Sequence, residues 1–293
     1  ESFRNINNNL IKFCMKIITL DDECNITYIE ALNEIVSFYN KTGKIRIDNS
    51  LVDYILHLSN SMRDVRSRRF AVYFAACVIQ ISSCLLYDLI NKVISLTNDC
   101  DKSIRLELAY HMKYICACLD EDFIKKNIIG LIEDYINEDS LIIQVEMICA
   151  CLFIYDKIEK HISFNLNQKI CEILEEYKDE KQVFSIIKKI FQCLLKVQIP
   201  EMNNCVILFL QQYIYANNTF LNDYDFLFEN INGLLMILTQ NDLHLFLMFI
   251  TKLIEESNDD KSIRLLFFSN IEKFIHNIDK EMQNKYIFDK LFS

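Results

Sequence analysis

Three glycines and one proline in 293 residues limit this chain more than any other feature. Sandwiches, barrels and parallel sheets turn their chains on Gly and Pro, which supply backbone geometry other residues resist. Three glycines cannot serve the turns of a sizeable all-β or α/β fold. What remains is an all-α chain of long helices joined by short polar loops. The same scarcity excludes glycine-rich phosphate cradles and dinucleotide loops, where the backbone must approach a ligand without a Cβ.

Self-similarity then organises the helices. The string Asp-Lys-Ser-Ile-Arg occurs at Asp101–Arg105 and again at Asp260–Arg264. Each copy follows an Asn/Asp-rich turn and an apolar helix (Leu89–Thr97, Leu243–Glu256) and opens another (Leu106–Leu119, Leu265–Ile278). A looser copy, Arg63-Asp-Val-Arg66, stands between Leu51–Ser59 and Phe70–Ile81. Weaker turns at Asn137–Ser140, Lys178–Lys181 and Asn222–Asp225 separate Phe123–Ile136 from Leu141–Ile158, Leu166–Tyr177 from Val183–Val197, and Cys205–Tyr215 from Phe226–Leu238. The turn-to-turn step is about 37 to 44 residues, which predicts roughly seven paired-helix repeats in one array over 1–293. Leu108, Met112, Ile115 and Leu119 recur at three- and four-residue steps, as one helix face requires. Gly43 and Pro200 fall between helix pairs, while Gly130 and Gly233 fall inside helices at a cost of about 1 kcal/mol each.

This pattern resembles the HEAT-repeat family, in which a turn Asp and an Arg six residues later form a ladder between successive repeats. Asp99 and Arg105 have that spacing; Arg66 and Arg264 have Asn60 and Asn258 in the acid's place. Gln144 with Glu138 inverts the types, and the units around 160–240 lack a clear pair, so irregular packing is expected there. The resemblance implies a right-handed α-solenoid. Within the family, Val93–Leu108 and Leu131–Ser140 are similar to the scaffold and regulatory subunits of protein phosphatases 2A and 4. That implies a non-enzymatic protein-binding scaffold with a phosphatase catalytic subunit as partner. Nuclear transport receptors and condensin-type subunits use similar units and form the alternative.

The formal charge of −10 argues against phosphate-backbone binding, which needs a basic surface, so nucleic acid is not the expected partner. Twelve cysteines lie within apolar helical runs; Cys77, Cys116, Cys149 and Cys193 read as small buried hydrophobes in a reducing compartment, cytoplasmic or nuclear. Three glycosylation triplets, opening at Asn25, Asn40 and Asn217, read as chance in an Asn-rich chain. The apolar run Phe70–Tyr87 is broken by Gln80, Ser82 and Ser83, short of the roughly 20 clean residues a spanning helix wants. Glu1 follows no Met and the last segment stops without a helix cap, so a stretch of a longer solenoid is expected.

No catalytic, cofactor or metal constellation emerges. Cys116-Ala-Cys118 and Cys149-Ala-Cys151 place their thiols on opposite helix faces, which precludes chelation by either pair. His57, His111, His161, His244 and His276 have no metal-like or triad-like spacing, and no small-molecule substrate is implied. Turns line one edge of a helical-repeat array and often touch partners. Asn98, Asp99, Asp101, Glu138 and Asp139 are therefore candidate contacts, as are Arg63, Arg68 and Arg69 of the one dense basic cluster. Asp99, Arg105, Arg66 and Arg264 are the expected ladder.

Overall fold

A computed structural model of the chain describes residues 49–60, 62–81, 87–178, 180–215, 225–256 and 261–288, with 9, 12 and 16. These residues form helices and turns, with no strand among them. The chain divides into two compact units, Glu1–Ile162 and Ser163–Ser293. The glycosylation triplets, Gly43, Ser82, Ser83, Asn258 and Asp260 lie outside the described residues.

The first unit contains α1 (Asn49–Leu58), α2 (Val65–Ile81), α3 (Tyr87–Ser95), α4 (Lys102–Ala117), α5 (Glu121–Asn127), α6 (Ile129–Ile136) and α7 (Leu141–Phe153). The division falls within α8 (Tyr155–Glu176). Helices α2, α4 and α7 pack side by side in chain order. Ala71, Val72, Phe74, Ala75, Ala76 and Val78 of α2 are wholly buried. Residues at such spacings cover every side of a helix, so α2 is packed all round, and its unbroken apolar run is a core helix's. No helix among the described residues is long and apolar enough to cross a membrane.

Helix ends leave N–H and C=O groups without intrahelical partners. With so little Gly and Pro, polar side chains fill these positions. Asp64 accepts from the Ser67 amide at 2.9 Å, Asp101 from the Ser103 amide at 2.8 Å and Asp120 from the Phe123 amide at 2.7 Å. At the other end of α4, Lys157 donates from Nζ to the carbonyls of Cys116 (3.2 Å), Ala117 (2.7 Å) and Leu119 (2.8 Å). One ammonium thus serves the Ala117 and Leu119 carbonyls and shares that of Cys116 with the Leu119 amide, where the helix dipole favours a cation.

Asparagine side chains mark several C-termini and breaks. The Asn127, Asn230 and Asn270 amides each donate to the carbonyl four residues back, at 3.0, 2.7 and 2.9 Å. At or beside each lies an interruption: Ile128 between α5 and α6, Asn230 between α11 (Asp225–Glu229) and α12 (Ile231–Ile237), and Asn270 between α14 (Lys261–Ser269) and α15 (Ile271–Asn277). Three helices read as continuous in sequence are therefore each two short ones. The expected helix Leu141–Ile158 likewise ends at Phe153, because Ile154 turns its backbone (φ −108°, ψ 20°) while its side chain stays buried. Helix α8 then starts at Tyr155, ahead of the predicted Leu166.

The second unit continues with α9 (Phe184–Val197), α10 (Asn203–Phe209) running into a π-helical stretch, Leu210–Tyr215, then α11, α12, α13 (Gln240–Glu256), α14, α15 and α16 (Lys280–Gln283). Its core includes stacked rings: Phe191 lies 4.2 Å from Phe209, with Phe226 edge-on at 5.9 Å. Gln198 ends α9 in the left-handed region (φ 55°), and Pro200 opens the next short turn.

The two helical glycines differ physically. A Cβ on Gly130 would meet nothing within 4 Å, whereas one on Gly233 would stand 2.7 Å from the Leu195 carbonyl oxygen. Gly233 lets α12 close on the backbone of α9. Gly130→Ala should therefore raise stability by about 0.5–1 kcal/mol, and Gly233→Ala should lower it by about 1–3 kcal/mol, both read from urea midpoints. Lys157→Met keeps the apolar stem and strands the Ala117 and Leu119 carbonyls, so a loss of about 1–3 kcal/mol is expected in the same assay.

Candidate functional site

The capping aspartates set the register of the residues that connect neighbouring helix pairs. Counting from Asp64, Asp101 and Ser140, each just before a helix, the residue four positions on faces the preceding turn: Arg68, Arg105 and Gln144. Two positions before the second and third caps stand Asp99 and Glu138. Arg68 donates from Nε to Asp99 Oδ2 at 2.8 Å and from Nη2 to Oδ1 at 3.1 Å, a bidentate pair reaching 31 residues ahead. Arg105 repeats this one step later, with Nη2 on Glu138 Oε1 at 2.7 Å. Each member also holds its own turn: Arg68 bonds the Arg63 carbonyl, Arg105 Nη1 the Asp99 carbonyl at 2.8 Å, and Gln144 Nε2 the Glu138 carbonyl at 2.5 Å.

The six-residue spacing of Asp99 and Arg105 thus marks a carbonyl contact inside one turn. The acid's carboxylate belongs to the previous pair's arginine. That arginine is Arg68 rather than Arg66, because four residues past an N-cap is one helical turn, and Arg66 stands only two past Asp64. Arg68, expected among solvent-facing contacts, is 7% exposed and committed to Asp99. Arg66 is half-buried, and Arg264 opens α14 on an exposed position.

Burial is the largest influence on Asp99 and pushes its carboxyl up. The Arg68 guanidinium and the Asp101 amide outweigh it, leaving the group below the ordinary 3.8. The hydrogen bonds to Glu138 and Asp99 raise Arg105 and Arg68 respectively. Asp101, two residues on, is lowered by the Ser103 hydroxyl and amide it caps.

A second connection was not legible from motifs. Arg69 Nη2 lies 3.2 Å from Glu107 Oε2, and Glu107 Oε1 lies 3.0 Å from His111 Nε2. Burial pushes Glu107 up, and its interactions with His111, followed by those with Arg69, bring it below its ordinary value. His111 is buried, with the Tyr73 ring edge-on at 4.9 Å. The i, i+4 spacing of Glu107 and His111 was the available signal; its Arg partner is 38 residues away.

Beside the ladder, between the α3 turn and α6, lies a groove of about 380 Å³. Ile94, Leu131 and the Tyr135 ring form its apolar part, and Asn98, Asp134 and Glu138 its polar part. Tyr135 is fixed by its hydroxyl, which bonds the Thr97 carbonyl at 3.3 Å. Asn98 and Asp134 are exposed, and Glu138 offers the edge not used by Arg105. Such a groove suits a cationic side chain with an aliphatic stem. Of the other expected contacts, Asp139 is exposed, Asp101 is spent on its cap, Arg63 bonds His57, and Arg69 is engaged by Glu107. Ladder and groove bring Asn98, Asp99, Arg105 and Glu138 together at one edge; Arg264 lies in the other unit.

Cys116 and Cys151 are buried while Cys118 is exposed and Cys149 half-buried, as opposite helix faces require. Burial pushes the Cys77 and Cys116 thiols up to about 12, so both stay protonated at neutral pH. Among the described residues no group of three or more His, Cys, Asp or Glu could hold a metal ion. Compared with models of known protein families and with curated protein sequences, the chain matches none.

Asp99→Asn leaves the buried Arg68 guanidinium without its counter-charge and should cost about 3 kcal/mol at neutral pH. The sign of the pH effect follows from the lowered carboxyl. Its stabilisation is complete above the unfolded value near 3.8 and is lost as pH falls through the still lower folded value. Wild type and variant, unfolded by urea from pH 7 to pH 2 and followed by circular dichroism, should therefore keep their full difference down to about pH 4 and converge only as pH falls through the lower folded value of Asp99.

Proposed function

We propose that this chain is a non-enzymatic scaffold that binds other proteins along the turn edge of a HEAT-like helical array. The fuller form of the proposal is a right-handed α-solenoid of about seven helix pairs, working in the cytoplasm or nucleus as a regulatory or scaffold subunit of a serine/threonine phosphatase. The observation that carries the scaffold reading is the repeated bond pattern: Arg68 to Asp99, then Arg105 to Glu138, each counted four residues from its cap. A ladder of this kind fixes neighbouring pairs in one orientation, so the turns between them present a lasting surface. A scaffold needs that stiffness, since it acts by holding partners at raised effective concentration. Acidic groups over an apolar floor favour a basic, extended segment of the partner, and complementary charge speeds its encounter.

The phosphatase assignment rests on the resemblance of Val93–Leu108 and Leu131–Ser140 and is tested directly. Purified catalytic subunits of the 2A and 4 types are mixed with the chain and followed by sedimentation velocity. A one-to-one complex at micromolar concentration is expected. Asp134→Lys, placed in the groove and outside the ladder, should weaken it about tenfold at low salt and less at high salt. No complex with either subunit would end the phosphatase reading. A complex indifferent to Asp134→Lys would move the contact away from the groove.

A further inference from the structure

Two thiols of the second unit face each other in a setting that core packing does not explain. Cys171 lies on α8 and Cys205 on α10, and their sulfurs are 3.6 Å apart. Asn167, one turn before Cys171 on the same helix, accepts from Cys205 Sγ through Oδ1 at 2.9 Å and lies 3.9 Å from Cys171 Sγ. The Asn167 amide nitrogen is itself held, donating to the Glu201 carbonyl at 3.3 Å. A side-chain carbonyl fixed at its other end therefore aims the Cys205 hydrogen and leaves that sulfur beside Cys171. Cys205 has no exposed surface, whereas Cys171 is partly open to solvent. One reachable thiol and one sheltered thiol in contact form the arrangement of a sensing and a resolving cysteine.

We propose that Cys171 and Cys205 are a peroxide-oxidisable pair that closes into a reversible disulfide, stapling α8 to α10. Cys171, the reachable group, reacts first. Its thiolate sulfur attacks hydrogen peroxide, the O–O bond breaks, and Cys171 becomes a sulfenic acid. The departing hydroxide takes the proton released by the thiol and leaves as water. Cys205 sulfur then attacks the sulfenic sulfur; the S–S bond forms, the S–O bond breaks, and the hydroxide leaves as water with the Cys205 proton. Two thiols and one peroxide give one disulfide and two waters, sulfur losing the two electrons that peroxide gains. Burial and the neighbouring sulfur push the Cys205 thiol up, so it is a poor first nucleophile, and the order follows. In a reducing compartment such a bond is transient and opened by thiols.

The whole chain is treated with hydrogen peroxide, the remaining thiols are alkylated, and peptides are mapped by mass spectrometry. Cys100 and Cys118, both exposed, report that oxidant reached the protein. The expected product is a peptide pair joined through Cys171 and Cys205, lost on dithiothreitol and absent from Cys171→Ser. The staple closes a loop of over thirty residues, so the oxidised chain should melt about 5 °C higher. Recovery of Cys205 as free thiol while Cys118 is oxidised would overturn the proposal. So would Cys171 carried to sulfinic acid without a cross-link, since the wild-type map needs no variant to fold.

Discussion

Every helix end must find partners for the backbone groups it leaves open, and this chain must do so almost without glycine or proline. The structure follows from how that constraint is met. Aspartates cap the N-termini at 64, 101, 120 and 279, and because each sits at a fixed place before its helix, it fixes which residue lies one turn inside. At Arg68 and Arg105 that residue is a cation long enough to reach the next turn. The cap therefore does two jobs: it starts a helix and it aims the arginine that joins one pair to the next. An isolated exposed ion pair contributes little. The Arg68–Asp99 pair differs because both side chains are more than nine-tenths covered, so its loss would strand a buried charge.

The C-termini are met less uniformly, and that irregularity shapes the helices. Lysine closes α4 from 40 residues away, through Nζ on the Ala117 carbonyl. Gln283 closes α15 by donating to the Ile275 and Ile278 carbonyls, both at 3.0 Å. Asparagines at 127, 230 and 270 instead draw on carbonyls of their own helix. That bond competes with continuation of the helix, and short helices result where apolar spacing alone reads through. Asparagine richness is thus part of the folding chemistry of the chain.

What could be read from sequence follows the range of each interaction. The all-helical class and the buried face of Leu108, Met112 and Ile115 depend on residues within a few positions of one another, and both were legible, whereas Asp101, expected as a partner contact, is a helix cap. Breaks at Asn230 and Asn270 were not, because a hydrophobic face passes through them unchanged. The ladder was half legible. Its arginines and acids were present in the motif, but counting back from Arg to Asp gave Arg66, whereas counting forward from the cap gives Arg68. Contacts such as Glu107 with Arg69, or Cys171 with Cys205, join residues over thirty positions apart and carry no local mark.

The groove inherits its geometry from the same caps. Glu138 is pulled toward Arg105 on one side, and Tyr135, three residues earlier, is tied to Thr97 on the other. Between those two tethers the turn after α6 cannot collapse onto α3, and the space beside Asn98 stays open with Asp134 at its rim. A side chain entering there would displace little, since its apolar part is already formed by Ile94 and Leu131 and its polar part is held. Preformed sites of that kind bind with less ordering cost than loops that must fold around a ligand. The interactions that hold successive helix pairs together are therefore also the ones that keep the groove open.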